Sequence, residues 1–416
     1  MESTHTIVPE GAEKTLERQA RAFRWVRQLS ALPGRLAGGR GEARAAERVE
    51  EWLRELGFEE VSARPCVAAA DPGRSLALHC VFAALGCALG GLPGLALAGV
   101  ALWSFRRGAE RATAPLSHWL LPRSASRSVV ARAGAVRPRR RVVLVASLCT
   151  ERAGALFSER TRGWLRHRLG VDDRPSRLTR VWPLRLLGFA ALVCAASALG
   201  AEGWLLGAAR LLAGAALVIA GAAAVQWAGA KASPGANANA SGVAALLTAA
   251  EQLAAQLPPD VELWCVAAGG SARGEPGLAS LLEVHPEWCE DETSLLHFSA
   301  VGAGRLHYAR SEGVLGRVVH APMLQELGRR VAASGAFGEV APVELEGETG
   351  AQQLARRGAQ VLSLVSLDES GVPRCLHQRE DDPEHLDLEG VVRAADFGCS
   401  VISAHWRGDA EPLAYV

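Results

Sequence analysis

Eleven histidines and nine cysteines are the groups in this 416-residue chain best suited to bind a metal or attack a carbonyl. Their spacing favours neither. No His-Glu-x-x-His pair occurs, so no helix carries two histidines one turn apart with a base between them. The scattered, odd set of thiols contains no Cys-x-x-Cys, which fits reduced cysteines in a cytoplasmic setting better than a disulfide framework. Ser271 stands in Gly269-Gly270-Ser271-Ala272-Arg273, which lacks the Gly-x-Ser-x-Gly of a nucleophile elbow and reads as a turn. Asp381, Asp382 and Glu384 read as a solvated acidic loop before the last helix. Basic and acidic residues number 45 and 44, and nearly all the cations are arginine, Lys14 and Lys231 excepted. No arginine cluster is interleaved with aromatics, so nucleic acid is not an expected partner. The polar, acidic start of the chain lacks the regions of a signal peptide.

Any chemistry here must be positioned by alternating helices and strands. Lys14–Leu32 and Glu42–Leu56 carry apolar residues at helical spacing, and Ser241–Gln256 and Asp387–His405 read as further helices. Val61–Val67, Ser128–Ala133, Val142–Leu148, Val261–Ala268, Leu295–Val301 and Gln360–Val365 read as strands. Strands separated by helices over this length predict an α/β fold, a three-layer α/β/α sandwich around a mixed sheet.

Two apolar blocks interrupt that pattern. Leu186–Ala228 is long enough for two bilayer-crossing helices, with a break at Gly200-Ala201-Glu202-Gly203. Leu76–Phe105 would span roughly 45 Å as one helix, and Gly90-Gly91-Leu92-Pro93-Gly94 breaks its centre. It reads as a short hairpin or a re-entrant pair. Hairpins return the chain to the side it left, so residues 1–75, 106–183 and 230–416 can form one domain around insertions at 76–105 and 184–229. Arginines cluster on the domain side of the blocks, and Arg210 is the one serious candidate for a functional charge within them. The positive-inside rule then predicts a protein of the cytoplasmic membrane, in contact with the lipid bilayer, with its main domain facing the cytoplasm.

Residues 231–242, Lys-Ala-Ser-Pro-Gly-Ala-Asn-Ala-Asn-Ala-Ser-Gly, resemble the Pro-Gly-Ala-x-Asp-Asn-Ala-Ser-Gly signature of the di-zinc aminopeptidases, family 28 of the metallopeptidases. Four further segments resemble that family in order: residues 32–41 with the helix after them, the strand Val142–Leu148, residues 295–302, and His377–Asp387. The resemblance implies the sandwich fold with a metal site at the carboxy-terminal ends of the strands. In such a site two zinc ions polarise the scissile carbonyl and a glutamate takes a proton from the bridging water.

Carried over residue by residue, the resemblance implies that most of the machinery is gone. The first histidine falls on Ser147 and the aspartate that orients it on Cys149. The bridging aspartate falls on Ala238, the base and ligand glutamates on Ser271 and Ala272, and the second aspartate on Ser299. Only His377 keeps its type. Glu275 and Glu262 lie nearby, but Glu275 requires a four-residue slip and Glu262 lies within a strand. An alanine has no electron pair to give, and serine hydroxyls are poor zinc ligands near neutral pH.

If the fold is retained, Cys149 and His377 form either a thiol–imidazole pair or a buried thiol and a hydrogen-bonded histidine filling the old pocket. The leading expectation is a membrane-anchored, peptidase-like protein without cofactor or catalytic residues, binding a peptide or protein. The alternatives are an active zinc aminopeptidase with relocated ligands around His377, and a subunit whose helices do the work.

Overall fold

The computed structural model describes residues 10–407 apart from 69, 112–113 and 271–274. The chain begins with two helices, α1 (Glu10–Ser30) and α2 (Arg40–Glu55), and strand β1 (Glu60–Val67). A first hairpin follows, α3 (Pro72–Leu89) and α4 (Gly91–Arg111), then the short α5 (Pro115–Leu120), β2 (Ala125–Gly134) and β3 (Arg140–Ser147). After α6 (Glu159–Leu169) comes a second hairpin, α7 (Trp182–Ala198) and α8 (Trp204–Gly229). The remainder supplies α9 (Ser241–Ala254), β4 (Val261–Ala268), α10 (Pro276–Val284), β5 (Thr293–Phe298), β6 (Arg305–Glu312), β7 (Val318–Val319) and α11 (Pro322–Ala333). It closes with β8 (Ala341–Leu345), α12 (Gly350–Arg356), β9 (Gln360–Leu367) and α13 (Leu388–Arg407).

The strands form one mixed sheet in the order β1-β2-β4-β3-β5-β9-β6-β7, with β8 paired to β6. Its centre, β4-β3-β5-β9, is parallel, and the flanking pairs β1-β2, β2-β4 and β9-β6 are antiparallel. Buried parallel strands read as near-continuous apolar runs, and Val142–Ala146 and Val261–Ala268 are such runs. Side chains alternate along them. Val142, Leu144 and Ala146 face a core built with α1, α2, α9 and α13, whereas Val143 and Val145 face a second core built with α10 and α12. Helices on both faces give the predicted three-layer sandwich. Within β4, Glu262 is buried but paired with Arg132 at 3.2 Å and Arg141 at 3.2 Å.

The two hairpins pack together around a core of their own, separate from those of the sandwich. The 76–105 block is a hairpin of two complete helices, longer at both ends than its apolar run, and the chain turns at Gly90, whose φ of 64° favours glycine. Three helical segments are long and apolar enough to cross a membrane by length and composition: Pro72–Leu89, Arg177–Ala198 and Trp204–Gly229. Arg210 has a structural task. Its guanidinium donates to the carbonyls of Cys87 at 2.8 Å and Ala88 at 2.9 Å, the last turn of α3. A cation there satisfies orphan carbonyls and opposes the helix dipole.

Small residues let the bundle helices approach closely. A Cβ on Gly86 would lie 2.7 Å from the Gly94 carbonyl oxygen and 3.1 Å from the Ala98 nitrogen. Gly86→Leu is therefore expected to cost about 1–3 kcal/mol through forced separation of α3 and α4. Gly99→Ala, where the added Cβ meets nothing within 4 Å, is expected to leave the midpoint unchanged or raise it. Thermal melts of both variants in detergent check this pair.

Candidate functional site

The carboxy-terminal ends of the parallel strands open into a cleft of about 220 Å³. Ser147, Cys149, Ala238, Ser299 and His377 all line it. The fold thus gathers the positions singled out in the sequence, although they lie far apart along the chain. Ser271 and Ala272 fall outside the described residues. Each position is set by its element: Ser147 ends β3, Ser299 follows β5, and Ala238 lies in a π-helical turn, Ala236–Ala240, that leads into α9.

Buried side chains clamp the loops that form the cleft floor. Glu42, at the start of α2, accepts hydrogen bonds from the backbone of Gly38 (2.6 Å) and Gly270 (2.7 Å), the Ser126 hydroxyl (2.6 Å) and the Cys149 thiol (2.8 Å). Arg35, fully buried, donates to the carbonyls of Leu148, Pro234 and Gly235 at 2.8–3.1 Å. Burial lowers its pKa to about 10, against the pull of Asp381. Asp381 is not part of a solvated loop. It is 1% exposed, and its carboxylate accepts from the backbone of Asn237 at 2.6 Å and Ala238 at 3.2 Å. The loop had to fold inward because the turn before α9 exposes amide donors that require an acceptor. Asp382 and Glu384 do remain at the surface end of that loop, where Asp382 caps a short turn.

The chemistry of the cleft differs from the sequence reading at Glu275. Cys149 and His377 share the cleft, but the thiol donates to Glu42, while the His377 ring lies 3.5 Å from the Glu151 carboxylate and packs at a tilt against Phe157, centroids 5.0 Å apart. Glu275 reaches the cleft despite its offset in sequence, and the Ser147 hydroxyl donates to its Oε1. It does so from a left-handed backbone (φ 41°) just before Pro276, a bend that a sequence alignment does not reveal. Its Oε2 has no hydrogen-bond partner among the described residues and rests against Gly350. Burial pushes the Glu275 carboxyl up to about 7, reinforced by the nearby Glu312 and opposed by the Ser147 hydrogen bond.

A second polar group lies behind it. Glu312 accepts from His320 (2.9 Å), from the backbone of Thr349 (2.7 Å) and from the Thr349 hydroxyl (3.1 Å). His297 contacts Ser363 at 3.2 Å and lines the cleft, and burial drives its pKa down to about 3, so it is neutral. His297 looks ordinary by spacing, and only strand pairing of β5 with β9 sets it beside Ser363.

Part of the cleft wall comes from the helix bundle. Arg180 lies in the π-helical stretch Arg177–Val181 that leads into α7, donates to the Ala109 carbonyl at the end of α4 (3.2 Å) and pairs with Glu348. Trp227, in the last turn of α8, donates to the Arg152 carbonyl at 3.2 Å and packs on Phe157. Both side chains line the cleft.

Residues 222–402 match the sequence profile of Peptidase family M28. Over that stretch the chain is similar to peptidase family M28. No curated protein sequence matches it. A zinc aminopeptidase from Bacillus subtilis superimposes with a TM-score of 0.53 at 15% identity, covering 93% of this chain and 94% of that one. An aminopeptidase of Legionella pneumophila, LapA, gives 0.53 at 8% identity, covering 99% and 79%. A glutaminyl cyclase from Porphyromonas gingivalis gives 0.52 at 11% identity, covering 93% and 98%. At such identities the likeness is one of fold.

The residues present do not fit the zinc pair of the M28 aminopeptidases. Ala238 offers no donor, Ser147 spends its proton on Glu275, and Cys149 spends its own on Glu42. Among the described residues no three His, Cys, Asp or Glu side chains are grouped to hold a metal ion.

Two outcomes follow. Glu42→Ala leaves several buried donors without an acceptor and is expected to cost roughly 3 kcal/mol or more, read from denaturant or thermal melts. The raised carboxyls of Glu275 (about 7) and Asp381 (about 6) hold protons that the unfolded chain has already released above about pH 4. Their contribution is full below that pH and is lost as pH rises toward 7. Glu275→Gln is therefore expected to melt above the parent chain at pH 8, with the difference shrinking toward pH 5.

Proposed function

We propose that this chain is a membrane-anchored, non-hydrolytic protein that uses the aminopeptidase cleft to bind a peptide or protein partner. The observation that carries this reading is the loss of donors at Ser147, Ala238 and Ser299 where they face the same cleft. Without two metal ions there is no polarised carbonyl and no acidified water, so a glutamate base alone gives little. The clamps on Glu42, Arg35 and Asp381 support a cleft kept in shape for another purpose than holding ions.

The outward face of the bundle supports the anchor. Leu211, Leu212 and Ile219 on α8 are 76, 70 and 71% exposed, and Leu192 on α7 is 67% exposed. Helices apolar on every face suit lipid rather than water. All four domain-side helix ends lie beside the sandwich, and arginines such as Arg74, Arg107 and Arg185 flank them, which favours a cytoplasmic domain.

One observation favours a second reading. Glu151 beside His377 and Glu275 beside Ser147 place two carboxylates and a histidine in one cleft. An active metallopeptidase with relocated ligands would have to use them.

Elemental analysis of detergent-purified protein decides between the readings. The expected result is no stoichiometric zinc and no aminopeptidase turnover, in the parent chain and in Ala238→Asp alike. Close to two tightly held zinc ions per parent chain, with turnover, would establish the second reading instead. Carbonate washing of membranes tests the anchor: the chain is expected to stay in the pellet.

A further inference from the structure

Resting on the membrane reading above, we propose that α6 is a separate, peripheral bilayer contact that lies on the surface of an anionic leaflet beside the bundle. The helix is well delimited. Ser158 caps its start by accepting from the Thr161 amide, and Gly170 ends it in a left-handed conformation. Yet none of its 11 residues is buried, so it adds nothing to either sandwich core or to the bundle core. A helix this short is marginal in water when it has no surface to pack on.

Its outward arc has the composition of an interfacial helix. Arg160, Trp164, His167 and Arg168 follow i, i+4, i+7, i+8 spacing and fall on one face. All four are exposed, Trp164 by 55%. Arg162 points the other way and is held by Asp173 at 3.3 Å. Arg160 and Arg168 engage no acidic side chain among the described residues. Tryptophan ringed by arginines suits the headgroup level of a bilayer, where the ring sits between apolar and wet and the cations meet lipid phosphates.

The fold places this face at the right height. Immediately before α6, Phe157 packs on Trp227 with ring centroids 5.1 Å apart, and the Ala155 amide donates to Gln226 at 3.2 Å. Both contacts are to the last turn of α8. Immediately after it, Asp172 pairs with Arg177 at 3.5 Å, in the helical stretch that leads into α7. So α6 is fixed at both ends to the domain-side ends of bundle helices, where a surrounding bilayer would end.

Hydrogen exchange of residues 159–169 in the full chain tests this, with the protein in nanodiscs of phosphatidylcholine alone or of phosphatidylcholine mixed with phosphatidylglycerol. Exchange is expected to slow about tenfold or more in the anionic discs only, as Arg160 and Arg168 beside Trp164 can provide. The protection should vanish in an Arg160→Gln, Arg168→Gln variant, and in the parent chain at high salt. Equal exchange in both discs would overturn the proposal, as would protection that the double variant retains, which would signify packing on protein. A chain that stays soluble and does not enter discs would overturn the membrane reading itself, and this proposal with it.

Discussion

The cleft depends on a negative charge that never faces it. Glu42 sits below the floor and gathers donors from four parts of the chain: the loop before α2, strand β2, Cys149 after β3, and the loop after β4. A buried carboxylate is tolerated only when its lone pairs are filled, and here they are. The same interaction therefore fixes the ends of β3 and β4 relative to α2. Arg35 and Asp381 extend the clamp to the turn before α9 and to the 381 loop. In a di-metal site the ions themselves tie such loops together. In this chain buried side chains outside the cleft also tie these loops together.

The helix bundle is the second constraint on the cleft. Arg180 joins the end of α4 to Glu348, and Arg174 and Arg177 both pair with Glu346 at 2.6 and 2.8 Å. The loop at 346–349 thus forms one wall of the cleft while being held by the segment that enters α7. Trp227, at the far end of the same hairpin, also lines the cleft and donates to the Arg152 carbonyl. A tilt of the bundle relative to the sandwich would have to break several of these contacts or carry the wall with it.

Much of this architecture is legible in the sequence. The central strands read correctly because parallel strands are apolar throughout, and β4 is found at its predicted bounds, Val261–Ala268. The helices α9 and α13 read correctly because their apolar faces are long. The strands β6, β7 and β8 were not legible: β6 mixes Arg305, His307 and Arg310 with apolar residues, and β7 has two residues. Helices α10, α11 and α12 are short, and their start signals are prolines or threonine within loops. In the site, Ser147, Cys149, Ala238, Ser299 and His377 line one cleft, and Ser271 and Ala272 lie outside the described residues. Glu275 was not assigned there, because a left-handed residue before a proline shifts the backbone by an amount spacing cannot express. Asp381 was misread as solvated because its partners are backbone amides, which carry no sequence signal.

The order of strands in the sheet has a consequence for how the chain is made. β2 and β3 are consecutive in the chain, yet β4 lies between them. Only the edge pair β1-β2 can close early, and even that encloses the first hairpin. Every central pairing waits for β4 to emerge from the ribosome, and β4 follows α8. The sandwich therefore cannot assemble first and acquire its hairpins afterwards; the first hairpin precedes β3, and the second is synthesised while β3 has neither of its final neighbours. During that interval β2 and β3 expose apolar edges, and the growing chain depends on prompt burial of its hairpins to keep those edges from pairing wrongly.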